Sequence, residues 1–376
     1  MRMRLSIICL TAGLFLLQGV HGQELESSAA CADCHVQAVI EWQTSRHALS
    51  TAATNPFYAA MLRWAAAVDD EAQDKCDVCH VPVKSLASTA EMARQLEDEG
   101  VTCDVCHATQ PHGKWLRLHT AGVKLGPSHD AVSVVHASQF SEHLVSSRQC
   151  LTCHANLESA HGFAFCSTQK EYLASSFSKK GVTCQDCHMP AMEGKTAELG
   201  KIRQVHSHRF YGGYNPEILL NCAALELVVS REETQLALAV KVKNRTVGHA
   251  LPTGSPMRAV YLSLKALDRD GTLIWQNYQS NPLLEDPDAV FMRLLEDEAG
   301  RAPAPPWLAS RVRFDQRLQP DEVRELSYDI PAANVATISA VLQYRLAPPA
   351  ILQKLNLYDE SLSTIVTIAA ARYDLE

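Results

Sequence analysis

The hydrophobic pattern of the chain changes character near residue 220. Before that point apolar positions recur at helical spacing in short segments, broken by glycine, proline and cysteine-histidine clusters. Residues 36–50 contain no Gly or Pro and predict a helix. A second predicted helix has readable ends: Ser88 as cap, Glu91 three residues on as in a capping box, and Gly100 as its stop. The same construction returns with Thr168 and Glu171 as the cap, a helix to about Lys180, and a stop at Gly181. A helical segment over about 132–147 would place His136 and His143 two turns apart on one face. Beyond residue 220 the pattern becomes β-rich. Runs at 225–229 and 235–242 flank a polar Arg231-Glu232-Glu233 turn, and 259–266 leads through Asp268-Arg269-Asp270-Gly271 into 273–275. Runs at 323–330, 338–344 and 364–370 complete about seven short strands, with the proline-rich stretch 303–306 in a long connecting loop. An immunoglobulin-like sandwich is the expected outcome.

The clusters in the first part share one form. C-x-x-C-H occurs five times: Cys31, Cys34, His35; Cys76, Cys79, His80; Cys103, Cys106, His107; Cys150, Cys153, His154; and Cys184, Cys187, His188. This is the attachment signal for c-type haem, in which two thiols form thioether links and the adjacent imidazole ligates the iron. A zinc site or a redox dithiol does not need a histidine directly after every second cysteine. Five covalently attached haems c are therefore expected. Two motifs open directly after a glycine stop, at Gly100-Val101-Thr102 and Gly181-Val182-Thr183, so the stop sets how each motif leaves its helix. Of the 13 cysteines, ten lie in these motifs and Cys9 sits near the N-terminus. Cys166 and Cys222 remain, either as a disulfide in an oxidising compartment or as two separate buried thiols.

Each iron needs a second axial ligand. His47 lies twelve residues beyond His35, which on a continuous helix is about 18 Å, so the two would not grip one iron. His47 is thus a candidate ligand for a different haem.

Several stretches carry a resemblance. They are Trp42 with Ser45, His47 and Ala48; Gly126-Pro127 through His136; Glu171 through Ser176; Gly181 through Pro190; and His206-Ser207-His208-Arg209-Phe210 with Gly212-Gly213. Together they resemble the multihaem cytochrome c superfamily that includes pentahaem nitrite reductase, hydroxylamine oxidoreductase and its tetrahaem electron-acceptor cytochrome. The resemblance covers most of residues 31–213. In such proteins the histidine of a Ser-x-His-Ala stretch, and one preceding an aromatic and glycines, are distal haem ligands. The resemblance puts these roles on His47 and His208. The nitrite reductases typically bind their catalytic haem through C-x-x-C-K, which is not found here. Residues 244–254 read as a loop presenting His249 and resemble a stretch in β-domains fused to multihaem cytochromes. His249 is then either a ligand reaching back to a haem or a structural loop histidine. The preferred distal set is His47, His136, His143, His208 and His249, with His119 and His206 in reserve. Met189 and Met192 are softer alternatives.

Composition adds the setting. Residues 1–22 read as a secretory signal, with Arg2 and Arg4, an apolar run over 5–17 and a Val20-His21-Gly22 cleavage site; retention as an anchor is the alternative. The signal implies a periplasmic or extracellular protein, and no other segment approaches a membrane span, so a soluble mature chain is expected. The formal charge of −8 has no concentrated basic patch behind it, which argues against nucleic acid as a partner. The expected architecture is multidomain: signal at 1–22, a mainly α multihaem cytochrome c domain at 23–215 and an all-β sandwich at 220–376. Bis-histidine haems exchange electrons with little rearrangement, which suits an electron carrier whose partners are other redox proteins or quinol-linked cytochromes. No residue is assigned a catalytic role. One rival is an oxidoreductase with an open haem acting on a small nitrogen or sulfur compound, with His129 or His161 supplying protons. Another is a subunit of an extracellular filament or homo-oligomer.

Overall fold

The computed structural model describes residues 25–220, 222–358 and 360–375; the signal expected at 1–22 lies outside them. The first half is a succession of short helices and two-stranded ribbons. The helix expected over 36–50 ends early, as Val36–Gln43, because Thr44 turns its hydroxyl back onto the Glu41 carbonyl at 2.9 Å. Helix Pro56–Ala66 was not anticipated, although its signal is present: Asn55 accepts from the Tyr58 amide at 3.1 Å and Pro56 takes the first turn. In helix Ala90–Leu96 the cap is Thr89, one residue later than expected. Gly100 does end this region, at φ +68, and a Cβ there would meet the His47 carbonyl and the Ser50 hydroxyl at 2.5 Å.

Two expectations fail in the first half. The segment 132–147 is not a helix: Ala137–Phe140 is a strand running parallel to Val123–Gly126. Three β-branched residues, Val132, Val134 and Val135, disfavour the helix, and the Ser133 hydroxyl ties the next amides into a turn. The mainly α description is also wrong. Helix accounts for 26% and strand for 31%, distributed over many small sheets. Further hairpins pair Thr109–His112 with Trp115–Leu118, Asn156–Glu158 with Ala164–Ser167, and Ala191–Lys195 with Ile202–His206. The cysteine motifs supply helices of only about one turn, and the chain between them extends to reach the next.

In the second half, strand Gln235–Asn244 lies between Ala223–Arg231 and Val323–Pro331 in one antiparallel sheet. A second sheet has the order Leu273–Gln276, Ala259–Leu267, Thr337–Arg345, Val366–Asp374, and Val290–Phe291 also pairs with Ala259–Leu267. Alternation along Gln235–Asn244 sends Leu236, Leu238, Val240 and Val242 inward, where they join Leu262, Leu264, Ile338 and Leu342 of the other sheet in one core. The supposed connecting loop holds a further hairpin, Arg293–Asp297 with Ala309–Asp315. Cys166 and Cys222 are separate buried thiols, and burial pushes Cys222 up to about 12. Among the described residues no helix is long and apolar enough to cross a membrane.

Candidate haem-binding sites

Each cysteine motif is wound into a helical turn or ends one. Cys103–His107 and Cys184–His188 are complete short helices, His80 closes Ala72–His80, Cys150–Cys153 forms one turn and Cys31 closes Ser28–Cys31. A helical turn places cysteines three apart on one side, which is what two links to one flat group require. The turns are started from outside as well as within. Asp186 accepts from the Thr183 amide at 2.6 Å, the Ser28 hydroxyl accepts from the Cys103 amide at 3.2 Å, and the Ser147 hydroxyl accepts from the Cys184 amide at 3.1 Å.

The motifs also touch one another. Thiols of different motifs are in hydrogen-bond contact at Cys31 with Cys103, Cys79 with Cys153, and Cys150 with Cys184. The contact from Cys150 holds Cys184 down at about 7. The fourth motif is therefore flanked by both the second and the fifth, and the first lies against the third.

The histidines fall into facing pairs. Ring centres are 6.3 Å apart for His35 and His136, His47 and His154, and His107 and His208, and 6.1 Å apart for His188 and His249. A first-row metal holds an imidazole nitrogen about 2.0–2.1 Å away, as zinc does, and the ring centre is roughly 1.1 Å behind it; two imidazoles on one ion are thus about 6.3 Å apart. The second nitrogens are tied as a metal site requires. Nδ1 bonds a backbone carbonyl in His35 (Thr196, 2.5 Å), His80 (Ser50, 3.0 Å), His107 (Leu125, 2.7 Å) and His188 (Tyr211, 2.5 Å). The same holds for His136, His208 and His249, bonded to Ala137, His206 and Ala250. Each bond fixes the tautomer and leaves the Nε2 lone pair free for a metal. Burial, followed by nearby positive charge, lowers His47 to about 3 and His154, His208 and His249 to about 4, so these rings are neutral. Among the described residues no cluster of three or more side chains is suited to a bare metal ion. Paired neutral imidazoles beside paired thiols fit a covalently held haem.

His80 is different. Its ring contact is with Tyr58, parallel at 4.1 Å, and the Tyr58 hydroxyl donates to Asp77 at 3.0 Å. Among the described residues no ring contact joins His80 to a second histidine. Nδ1 of His143 is buried without a hydrogen bond, as is Nδ1 of His47. Of the reserves, His206 bonds the Met189 carbonyl at 2.6 Å and His119 faces Gln139 at 3.2 Å. His129 stacks on Phe140 and His161 sits in an exposed turn.

The fourth pair joins the two halves, because His249 comes from the loop between strands Gln235–Asn244 and Ala259–Leu267. That loop is bolted by Glu171, whose carboxylate accepts from the Ala250 amide at 3.2 Å and the Thr253 hydroxyl at 2.6 Å, and on its other oxygen from Arg317 at 2.6 Å and Ser167 at 2.5 Å. Asp315 lies between Arg317 and Arg293, and Arg293 donates to the Ala164 carbonyl at 2.7 Å. The helix here begins after Ser167, and Glu171 does not cap it. Glu171 is a junction residue and not a local cap. A glutamate four residues into a helix gives no sign of a partner 146 positions away.

Comparison with known proteins agrees with this geometry. The family model described as "Cytochrome c554 and c-prime" matches residues 30–108, the segment holding the first three motifs. The chain is similar to a penta-heme cytochrome c552 from Thermochromatium tepidum, with 27% identity and a TM-score of 0.76, over 93% of this chain and 99% of that one. A beta-glucosidase from Kluyveromyces marxianus, 9% identical over 41% of this chain and 14% of its own, has a TM-score of 0.16 and carries no argument. Comparison with curated proteins finds no match. Motif helices, facing imidazoles and a relative matched along nearly its whole length agree: the chain is similar to multihaem c-type cytochromes, which supports covalently bound haem c and a part in electron transfer.

Proposed function

We propose that the protein is an exported electron carrier holding five haems c, one on each C-x-x-C-H motif. In this reading the signal at 1–22 directs it out of the cytoplasm, residues 23–215 carry the haems, and the second half forms a domain of its own that lends one ligand. Four haems are gripped by His35 with His136, His47 with His154, His107 with His208, and His188 with His249. The observation that carries this is the recurrence of one ring-to-ring spacing, each time between a motif histidine and a histidine outside the motifs. Haem c supplies reversible one-electron exchange. The residues supply the rest: Nδ1–H bonds to carbonyls hold the imidazoles of three of the four pairs in one orientation, and the motif contacts keep neighbouring sites adjacent. Partners are other redox proteins or quinol-linked cytochromes.

The fifth site supports a second reading. With the other four histidines of the preferred distal set paired, His143 is the one left over for His80, but the ring contact of His80 is with Tyr58. An iron there without a second histidine would bind a small nitrogen or sulfur compound.

Electron paramagnetic resonance of the oxidised protein tests both readings. The carrier reading expects low-spin signals from the four histidine pairs, and His249→Ala should turn one of them high-spin. An unchanged spectrum in that variant removes His249 from the ligands. A high-spin ferric signal in the unaltered protein that responds to added cyanide assigns the open position to His80.

A further inference from the structure

Arg258 stands at the start of strand Ala259–Leu267, four residues past the glycine of the His249 loop. Its guanidinium donates to the Thr253 carbonyl at 3.0 Å. Among the described residues no carboxylate lies within ion-pair distance of it. Tyr344, 3% exposed, carries a buried hydroxyl with no hydrogen-bond partner. The two groups meet over Gly213: a Cβ there would collide with the Tyr344 hydroxyl and come within 3.5 Å of the Arg258 guanidinium carbon. A Cβ at Gly254 would lie 3.1 Å from Arg258. Two glycines thus let the backbone approach the cation and the hydroxyl closely.

A half-buried guanidinium with no acid beside a buried hydroxyl with no partner calls for an anion with two oxygens. The surroundings say which anion. Gly213 lies two residues after Tyr211, whose carbonyl fixes His188, and Thr253 lies four residues after His249. The charge of Arg258 acts on His154, His188 and His249 alike.

We propose that Arg258 and Tyr344 form a carboxylate-binding site that holds a propionate of the haem on Cys184 and Cys187 or of its neighbour on Cys150 and Cys153. This rests on the reading that His154 and His188 are haem ligands. The second half then sets a redox property as well as lending His249. A fixed cation beside the propionate stabilises the reduced haem and raises its midpoint potential.

Potentiometric titration of the purified holoprotein, resolved haem by haem, tests the site. In Arg258→Gln one midpoint of the fourth or fifth haem should fall by about 59 mV, a tenfold change in its oxidised-to-reduced ratio for one electron. Arg258→Lys should restore most of the shift. Tyr344→Phe should lower the same midpoint less, and it keeps the idea open to test if Arg258→Gln does not fold. Five unmoved midpoints in both variants overturn the proposal. Acetate added to the unaltered protein should move nothing; a midpoint that follows acetate shows an exchangeable anion in place of the propionate and also overturns it. Mass spectrometry of the peptides around Cys150 and Cys184 separates the two layers. Peptides without haem sink the underlying haem assignment, whereas haem-bearing peptides with unmoved midpoints sink only the carboxylate site.

Discussion

The two halves bury their apolar side chains in different ways. Every one of the largest fully buried side chains, from Leu236 to Leu342 and including Phe291, Met257 and Ile330, lies beyond residue 235. The first half has instead two small clusters of its own, one around Val81, Val83 and Val105 and one around Val39, Trp42 and Ala48, and shares a third in which Met61 packs with Met257, Ile351 and Leu352 of the second half. About 190 residues with so little apolar packing would not offset their conformational entropy unaided. A bound haem is a large apolar plate, and each one takes the place of side chains that a core of protein alone would need. The difference teaches that the second half is a fold stabilised by its own sheets, whereas the first half is a wrapping whose interior is its cofactor.

The largest effect expected from that contrast is in the full chain made without haem attachment. Hydrogen exchange should find strands Gln235–Asn244 and Ala259–Leu267 protected and residues 25–215 exchanging freely; equal protection in both halves would break the comparison. Next in size is Glu171→Ala, which removes one of the two carboxylates paired with buried Arg317 and leaves Asp315 as the other. Leaving a buried charge with no partner costs about 3–5 kcal/mol, which is the upper bound here because Asp315 still pairs with Arg317. The Glu171 and Arg317 side chains are about one-twentieth exposed, at 5% and 6%, so little solvent screening reduces that figure. Because Glu171 also holds the His249 loop, the variant should lose low-spin character at one haem along with denaturant stability. Leu262→Ala should cost about 2–5 kcal/mol by opening a cavity between the two sheets, with the haem spectrum unchanged. A spectral change there would mean that the halves are coupled through the core as well as through the junction.

Local signals in the sequence reach as far as local physics does. The five motifs are legible because two thioether links and an axial imidazole must all come from one turn of chain. His47, His136, His208 and His249 were readable as candidates, yet which motif each would face was not, since pairing is set by how ribbons far apart in sequence fold together. The strands of the second half were legible through alternation, as at Leu236, Leu238, Val240 and Val242. The proportion of helix was misjudged because short motif helices and a valine-rich segment before His136 look helical by composition while the chain around them runs extended. The Glu171 network had no sequence signature, as its partners lie in three separate segments.

The smallest effect concerns acid. Arg317 and the hydrogen bonds at the junction hold Glu171 below its ordinary carboxylate value despite burial, and Arg317 with Arg293 does the same for Asp315. A carboxyl lowered in the folded state adds stability above its unfolded value, about 4, and loses it as pH falls through the lower folded value. The midpoint of thermal unfolding should therefore be flat from pH 7 to about 5 and decline below about 4. Glu171→Gln should be less stable at neutral pH and show a shallower decline, because one of the two titrating groups is gone. Equal slopes in the variant and the unaltered protein would place the acid sensitivity elsewhere, in carboxylates away from the boundary between the halves. That result would leave the junction as a geometric clamp on His249 whose charges contribute nothing to the pH profile.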